Sequence, residues 1–234
     1  MPHDIIDNRN QKLVDHIRTI LDSTDSARFA VGYFFLSGLE SIQDKLSGVQ
    51  KLRLLIGNTT NRETIEQISE GYKRLDLVEA AEEREHFLKR AEQKNRLDET
   101  AANLRKTVEV MDQTEETESL VKTLIDLIVE KRLEVRVYTK GRLHAKAYIF
   151  DYQRGAYENG IAVVGSSNLT LSGLTHNTEL NVVVHGNDNH EQLGNWFDVL
   201  WADGMDFESH LMDELQASWA GNIASPHDIY MKTL

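Results

Sequence analysis

His144-Ala-Lys-Ala-Tyr-Ile-Phe-Asp151, the short β-branched segment Ile161 to Val164, and then Gly165-Ser-Ser-Asn168 form the stretch on which the reading of this chain turns. Side chains alternate faces along a strand. A strand over His144 to Phe150 therefore sets His144 and Lys146 side by side and sends Ala145, Ala147 and Ile149 to the opposite, buried face. Ser166 and Asn168 stand two apart at the end of the next strand and bring a hydroxyl and an amide toward the same place. Such a set suits a phosphoryl group: Lys146 neutralises charge, Ser166 and Asn168 donate hydrogen bonds, and His144 serves as nucleophile or acid.

Outward from this hairpin the pattern is that of an α/β fold, a mixed β-sheet flanked by helices. Leu133 to Tyr138 and Glu179 to Val184 read as further strands. Near the amino terminus Arg28 to Leu36 (RFAVGYFFL) and Lys51 to Ile56 (KLRLLI) read as strands around a short helix, Leu39 to Leu46, and this alternation predicts some parallel pairing. Apolar residues at helical spacing predict helices over Ile5 to Leu21, Asn189 to Trp201 and Phe207 to Trp219, the second packing Leu193, Trp196, Phe197 and Leu200 on one face. Trp196, Trp201 and Trp219 read as core residues.

Residues 61–132 contain no proline and are dense in Glu, Lys, Arg, Gln, Leu and Ala, which predicts a long helical insertion with a break near Asp112 to Thr117. The expected plan is one α/β domain built from residues 1–60 and 133–234 around that insertion, whose plain reading is a charged, solvated arm. Ser225 and Pro226 read as the cap and first position of another helix, and the chain stops soon after, which suggests a piece of a longer protein.

The chain has 234 residues, enough to bury a sizeable core. With no cysteine it has neither a disulfide framework nor a thiolate nucleophile, and a reducing cytoplasm is the expected compartment. No apolar stretch reaches the roughly 18 residues of a membrane span, so no membrane partner is expected. Histidines other than His144 show no paired metal-ligand spacing and read mostly as surface or capping residues, and there is no P-loop, so neither metal nor cofactor is expected.

Lys plus Arg number 26 against 38 Asp plus Glu, a net charge of -12, which on its face opposes a nucleic-acid partner. The acid is unevenly placed. Residues 187–234 hold 1 basic and 9 acidic residues, whereas residues 135–186 hold 5 and 3. Arg136, Lys140, Arg142 and Lys146 are expected to cluster about the pocket. That charge map accommodates a short, local phosphate grip better than tight binding of long nucleic acid.

The two motifs resemble the signature of the phospholipase D superfamily, H-x-K-x4-D followed by G-S-x-N, and match it in every residue type. For this composition the first motif alone has a chance expectation of about 0.03, and the pair roughly one in ten thousand. In that family the motif histidine attacks phosphorus, a second motif histidine protonates the leaving oxygen, and water then cleaves the phosphohistidine without a metal ion. The resemblance implies His144 as nucleophile, Lys146 and Asn168 as ligands of the non-bridging oxygens, Ser166 as their support, and Glu179 as the acid that orients the imidazole. It implies structural roles for Asp151 and Gly165.

The chain carries a single signature. Single-motif members of the family complete the site as homodimers, so a second His144 would act as general acid, with Leu171 to Thr178 and the motif-strand ends as the expected interface. The gap between Asp151 and Gly165 is longer than the family's, and Tyr152 to Asn159 is expected to form an extended hairpin loop that alters access. More loosely, R-F-A-V-G-Y-F-F-L-S-G-L at 28–39, K-L-R-L-L-I-G-N at 51–58 and S-P-H-D-I-Y-M-K-T-L at 225–234 resemble the amino-terminal phospholipase D-like domain of bacterial and archaeal superfamily-two helicases, which implies a helicase motor as partner in a longer protein. The expected function is a metal-independent phosphodiesterase, a nuclease domain acting on nucleic acid, DNA in the first instance. The alternative from a different class is a non-catalytic module that holds a phosphate or DNA end for a helicase.

Overall fold

Apolar runs of the sequence become the inner strands of one eight-stranded mixed sheet. The computed structural model describes residues 4–34, 36–57, 97–98, 100–102, 114–141, 143–153 and 155–221. In chain order the elements are β1 (Ile5–Ile6), α1 (Leu13–Leu21), β2 (Thr24–Val31), α2 (Leu36–Glu40), α3 (Gln43–Leu46), β3 (Lys51–Gly57), α4 (Glu115–Val129), β4 (Leu133–Tyr138), β5 (Lys146–Tyr152), β6 (Gly160–Gly165), α5 (Leu171–Thr175), β7 (Asn181–Val184), α6 (Asn187–Asp203), β8 (Gly204–Asp206) and α7 (Glu208–Ala217). The strand order is β1-β7-β6-β5-β2-β3-β4-β8. β2 and β3 run parallel, through the crossover that the amino-terminal pattern predicts, β3 and β4 are parallel as well, and the remaining pairs are antiparallel.

Both faces of the sheet are covered. Phe29, Val31, Leu54, Val135, Tyr148, Phe150 and Val163 point into the larger core, which α1, α2, α4 and α7 close with Leu13, Ile17, Leu39, Leu120, Leu124, Leu211 and Leu215. Phe29 meets Tyr148 and Phe150 edge-on at ring separations of 5.1 and 5.5 Å, the arrangement aromatic quadrupoles favour. Ala30, Leu55, Ile149 and Ala162 point the other way and are covered by Phe197 and Trp201 of α6. Lys146 shares the face of Tyr148 and Phe150, and all of Lys146 to Phe150 is buried, so β5 does not divide into one polar and one buried side as expected.

Several expected boundaries move for local reasons. The helix expected from Ile5 begins only at Leu13, because Ile5 and Ile6 pair with Val182 and Asn181 as an edge strand. Asn8 then takes φ 57°, a conformation that asparagine tolerates, and its side-chain oxygen accepts from Leu13 N at 2.9 Å. The strand expected over Arg28 to Leu36 ends at Val31, and Leu36 opens α2. In α6 the buried residues are His190, Gly194, Phe197 and Trp201, while Trp196 is 37% exposed and is not a core residue.

Within 61–132 the described residues include α4, capped by the Thr114 side chain accepting from Thr117 N at 3.2 Å, and helical residues at 97–98 and 100–102. α4 buries Leu120, Val121, Leu124, Leu127 and Ile128 in the larger core, which Leu97 and Ala101 also join. Most of the remaining 61–113, and the helix expected at Ser225 and Pro226, lie outside the described residues.

Candidate active site

Strand register brings the two motifs together. Antiparallel pairing sets Lys146 opposite Val31 and Ala147 opposite Val164. The residues that follow β2 and β6 and those that precede β5 therefore leave the sheet at the same edge. β3 ends there at Gly57 and β7 begins there at Asn181. A bridge between Phe34 and Leu169 fastens the segment after β2 to the segment after Asn168.

His144 lies just before β5 and is exposed, whereas Lys146 is 7% exposed. The Lys146 ammonium stands 3.2 Å from His144 Nε2 and 3.3 Å from Nδ1, and donates to the His144 carbonyl at 3.0 Å. Asn168 stands across the end of β2, where its Oδ1 accepts from Tyr33 N at 3.1 Å. A Cβ built on Gly32 would lie 3.2 Å from Asn168 Oδ1 and 3.8 Å from Lys146 Nζ, so Lys146 and Asn168 approach one glycine, and the ammonium links it to His144.

Ser166 and Glu179 form a second pair, between β6 and β7. The Ser166 hydroxyl donates to the Glu179 carboxylate and accepts from Leu180 N at 3.0 Å. Beneath them the Asn181 side chain donates to Ser167 Oγ at 2.9 Å and accepts from Ser167 N at 3.4 Å. A Cβ on Gly165 would come within 2.3 Å of Asn181 Oδ1, closer than any real contact, so only glycine fits where β6 meets this amide. Tyr148, fully buried, donates its hydroxyl to the Ser167 carbonyl at 2.8 Å. Burial, with the Glu179 charge nearby, pushes its phenol well above the ordinary tyrosine value.

Asp151 sits at the far end of β5. Its carboxylate accepts from Ser26 Oγ at 2.8 Å and Arg28 Nη2 at 2.5 Å and lies 3.1 Å from His190 Nε2. Burial works to raise this carboxyl, but the His190 hydrogen bond, Arg28 and Ser26 outweigh it and hold it below its ordinary value. The Gln153 to Asn159 loop, closed by Tyr152 N donating to the Asn159 carbonyl at 2.9 Å, is at that far end too, so it does not border the site as expected.

Two of the four cations expected to cluster at the pocket are engaged elsewhere. Arg136 donates to the Trp201 carbonyl at 2.8 Å and stacks over its ring at 4.8 Å, and Lys140 pairs with Asp203. Arg142 lies outside the described residues. His190, one of the histidines read mostly as surface or capping residues, is 6% exposed and bonds the Phe150 carbonyl as well as Asp151. Among the described residues no three His, Asp or Glu side chains gather as metal ligands would, and no helix is long and apolar enough to cross a membrane.

Gly32, Tyr33, Tyr148 and Asn181 hold this edge together and were not singled out from the sequence. Only Gly32 left a signal, a glycine interrupting an apolar β run, which often marks a close backbone approach.

Residues 16–201 match the family described as cardiolipin synthase, PLD-like domain. The chain belongs to the phospholipase D-like domain family. No curated protein matches its sequence. Solved structures of similar fold include the phospholipase D family member Nuc from Salmonella typhimurium, with 14% identity, a TM-score of 0.46, and coverage of 86% of this chain and 95% of that one. NucT from Helicobacter pylori is 11% identical with a TM-score of 0.45, over 83% of this chain and 91% of its own. Phosphatidylserine synthase from Haemophilus influenzae is 11% identical with a TM-score of 0.50, over 100% of this chain and 46% of the synthase. The last likeness speaks to the phospholipase D-like fold alone.

Proposed function

We propose that this phospholipase D-like domain is a metal-independent phosphodiesterase that cleaves nucleic acid through a phosphohistidine on His144. The observation that carries the reading is the Lys146 ammonium within 3.3 Å of both ring nitrogens of an exposed His144, with Asn168 facing the same glycine. The nucleophile the first step needs is a lone pair on one imidazole nitrogen. The Lys146 ammonium, with the Asn168 amide, offsets charge that builds on the non-bridging oxygens as the fifth bond to phosphorus forms.

In the first step an imidazole nitrogen of His144 bonds to phosphorus, and the bond to the leaving oxygen breaks as that oxygen takes a proton. In the second step water gives its proton back to the same acid and its oxygen displaces the imidazole, releasing a phosphomonoester. The acid is His144 of a second copy, since the chain carries one signature and each site needs two histidines. Leu171, exposed on α5 beside the site, belongs to the surface proposed to meet that copy. Glu179, held by Ser166, supplies negative charge at the margin and acts on the imidazole in the assembled site. Nucleic acid is the proposed substrate on the resemblance of the amino-terminal segments to helicase-linked domains, and a helicase motor is the proposed partner.

The test is cleavage of labelled DNA and RNA in excess chelator by wild type and by His144→Ala. Turnover by wild type and none by the variant supports the reading. Binding without turnover, weakened by Lys146→Ala, favours the accessory module that only holds a phosphate or DNA end.

A further inference from the structure

We infer that the Gly32-Tyr33 peptide is a positioning element of the phosphoryl site: Gly32 lets the Asn168 amide and the Leu143 carbonyl close on the end of β2, and the Tyr33 N–H then turns the Asn168 NH2 toward the bound anion. The inference rests on the phosphoryl-binding reading and adds to it how the amide is aimed.

A Cβ on Gly32 would stand 3.2 Å from both Asn168 Oδ1 and the Leu143 carbonyl oxygen, tighter than most real contacts. Neither neighbour is free to give. Leu143 is buried and directly precedes His144, and Asn168 is followed by Leu169, which is fixed by the bridge to Phe34. Gly57 forms a second layer: a Cβ there would meet the Gly32 carbonyl oxygen at 2.2 Å and the Leu143 carbonyl oxygen at 3.0 Å. Two glycines at neighbouring strand ends thus set the separation between the segment that carries His144 and the segment that carries Asn168.

The Tyr33 N–H decides which end of the Asn168 amide faces outward. An N–H can be met only by an acceptor, so the amide oxygen faces Tyr33, at 3.1 Å, and the NH2 is turned away from the strand end. Reversed, the amide would present an oxygen to an anionic ligand and repel it. A methyl at Gly32 pushes on that oxygen and on the carbonyl before His144 together, so it disturbs aim at two of the three groups that grip the anion without removing any of them.

The test titrates inorganic phosphate into 15N-labelled wild type, Gly32→Ala and Gly48→Ala, with a thermal melt of each. Gly48 is an exposed glycine whose Cβ would make only an ordinary 3.5 Å contact, and its variant is the control. In wild type the Asn168 side-chain NH2 signals are expected to move with phosphate. Gly32→Ala is expected to bind phosphate about tenfold more weakly or worse while keeping a near wild-type melting point, and Gly48→Ala to bind as wild type does. Should Gly32→Ala fail to fold, Tyr33 amide exchange decides the matter: it is expected to be slow in wild type and faster in Asn168→Ala. Undiminished phosphate affinity in a folded Gly32→Ala, or Tyr33 exchange indifferent to Asn168→Ala, overturns the inference while leaving the phosphoryl site standing. Wild type that binds no phosphate overturns both.

Discussion

The Tyr148 hydroxyl and the Ser167 carbonyl are joined by a 2.8 Å hydrogen bond that is wholly buried, tying β5 to the turn that carries Ser166 and Asn168. Tyr148→Phe removes the donor and leaves a buried carbonyl short of a partner, at a cost of about 1–2 kcal/mol readable by urea unfolding. A pH signature accompanies it. The folded phenol titrates above the ordinary tyrosine value, so the unfolded chain loses its proton first as pH rises past about 10, and stability falls there. Tyr148→Phe is expected to flatten that alkaline decline.

Asp151 belongs to the signature, and its carboxylate joins Ser26, Arg28 and His190 at the far end of β5. Its folded carboxyl is depressed, so its contribution is full above the unfolded value near 4 and disappears as pH falls through the folded one. Asp151→Asn should cost about 3 kcal/mol at neutral pH, because Arg28 and His190 lose a shared, partly buried anion. Melts of the two proteins should converge in acid. Turnover per folded molecule should stay near that of wild type.

Lys146→Ala takes away the ammonium nearest the imidazole and should lower kcat by about 100- to 1000-fold, the range seen when one preorganised donor to a developing charge is lost. Lys146→Arg is not expected to restore it, since a planar guanidinium cannot reproduce one compact charge between the ring and the His144 carbonyl. Single-turnover kinetics measures both.

Leu171 is 42% exposed and Leu180 59%, and Leu180 directly bonds Ser166 through its N–H and lies beside the proposed site. Leu171→Asp is expected to convert a dimer to a monomer in sedimentation equilibrium, to leave the thermal melt of the fold largely intact, and to abolish turnover. A monomeric wild type that cleaves at the same rate contradicts the shared site.

β4 was legible to the residue as Leu133–Tyr138, because its buried and half-buried residues alternate strictly. The two motifs were legible because their residues are near neighbours in the chain and one antiparallel pairing joins them. What a hairpin alone cannot show is the rest of the edge. Gly32 meets Asn168 across 136 positions of sequence, and Ser26 and Arg28 reach Asp151 across 125 and 123. Charge proximity in sequence misled for a different reason. Arg136 is drawn to the π face of Trp201, and Lys140 to Asp203, both on α6, a helix that packs over the face away from Lys146.

The proposed reaction stands on a covalent bond between His144 and phosphorus. Its most direct test is to mix end-labelled single-stranded DNA with excess enzyme in chelator, quench in alkali, where a phosphohistidine survives, and look for label on the protein by mass spectrometry. Labelled His144 in wild type, absent from His144→Ala, is the expected result. Cleavage that needs added magnesium and persists in His144→Ala, with no labelled protein, would contradict it.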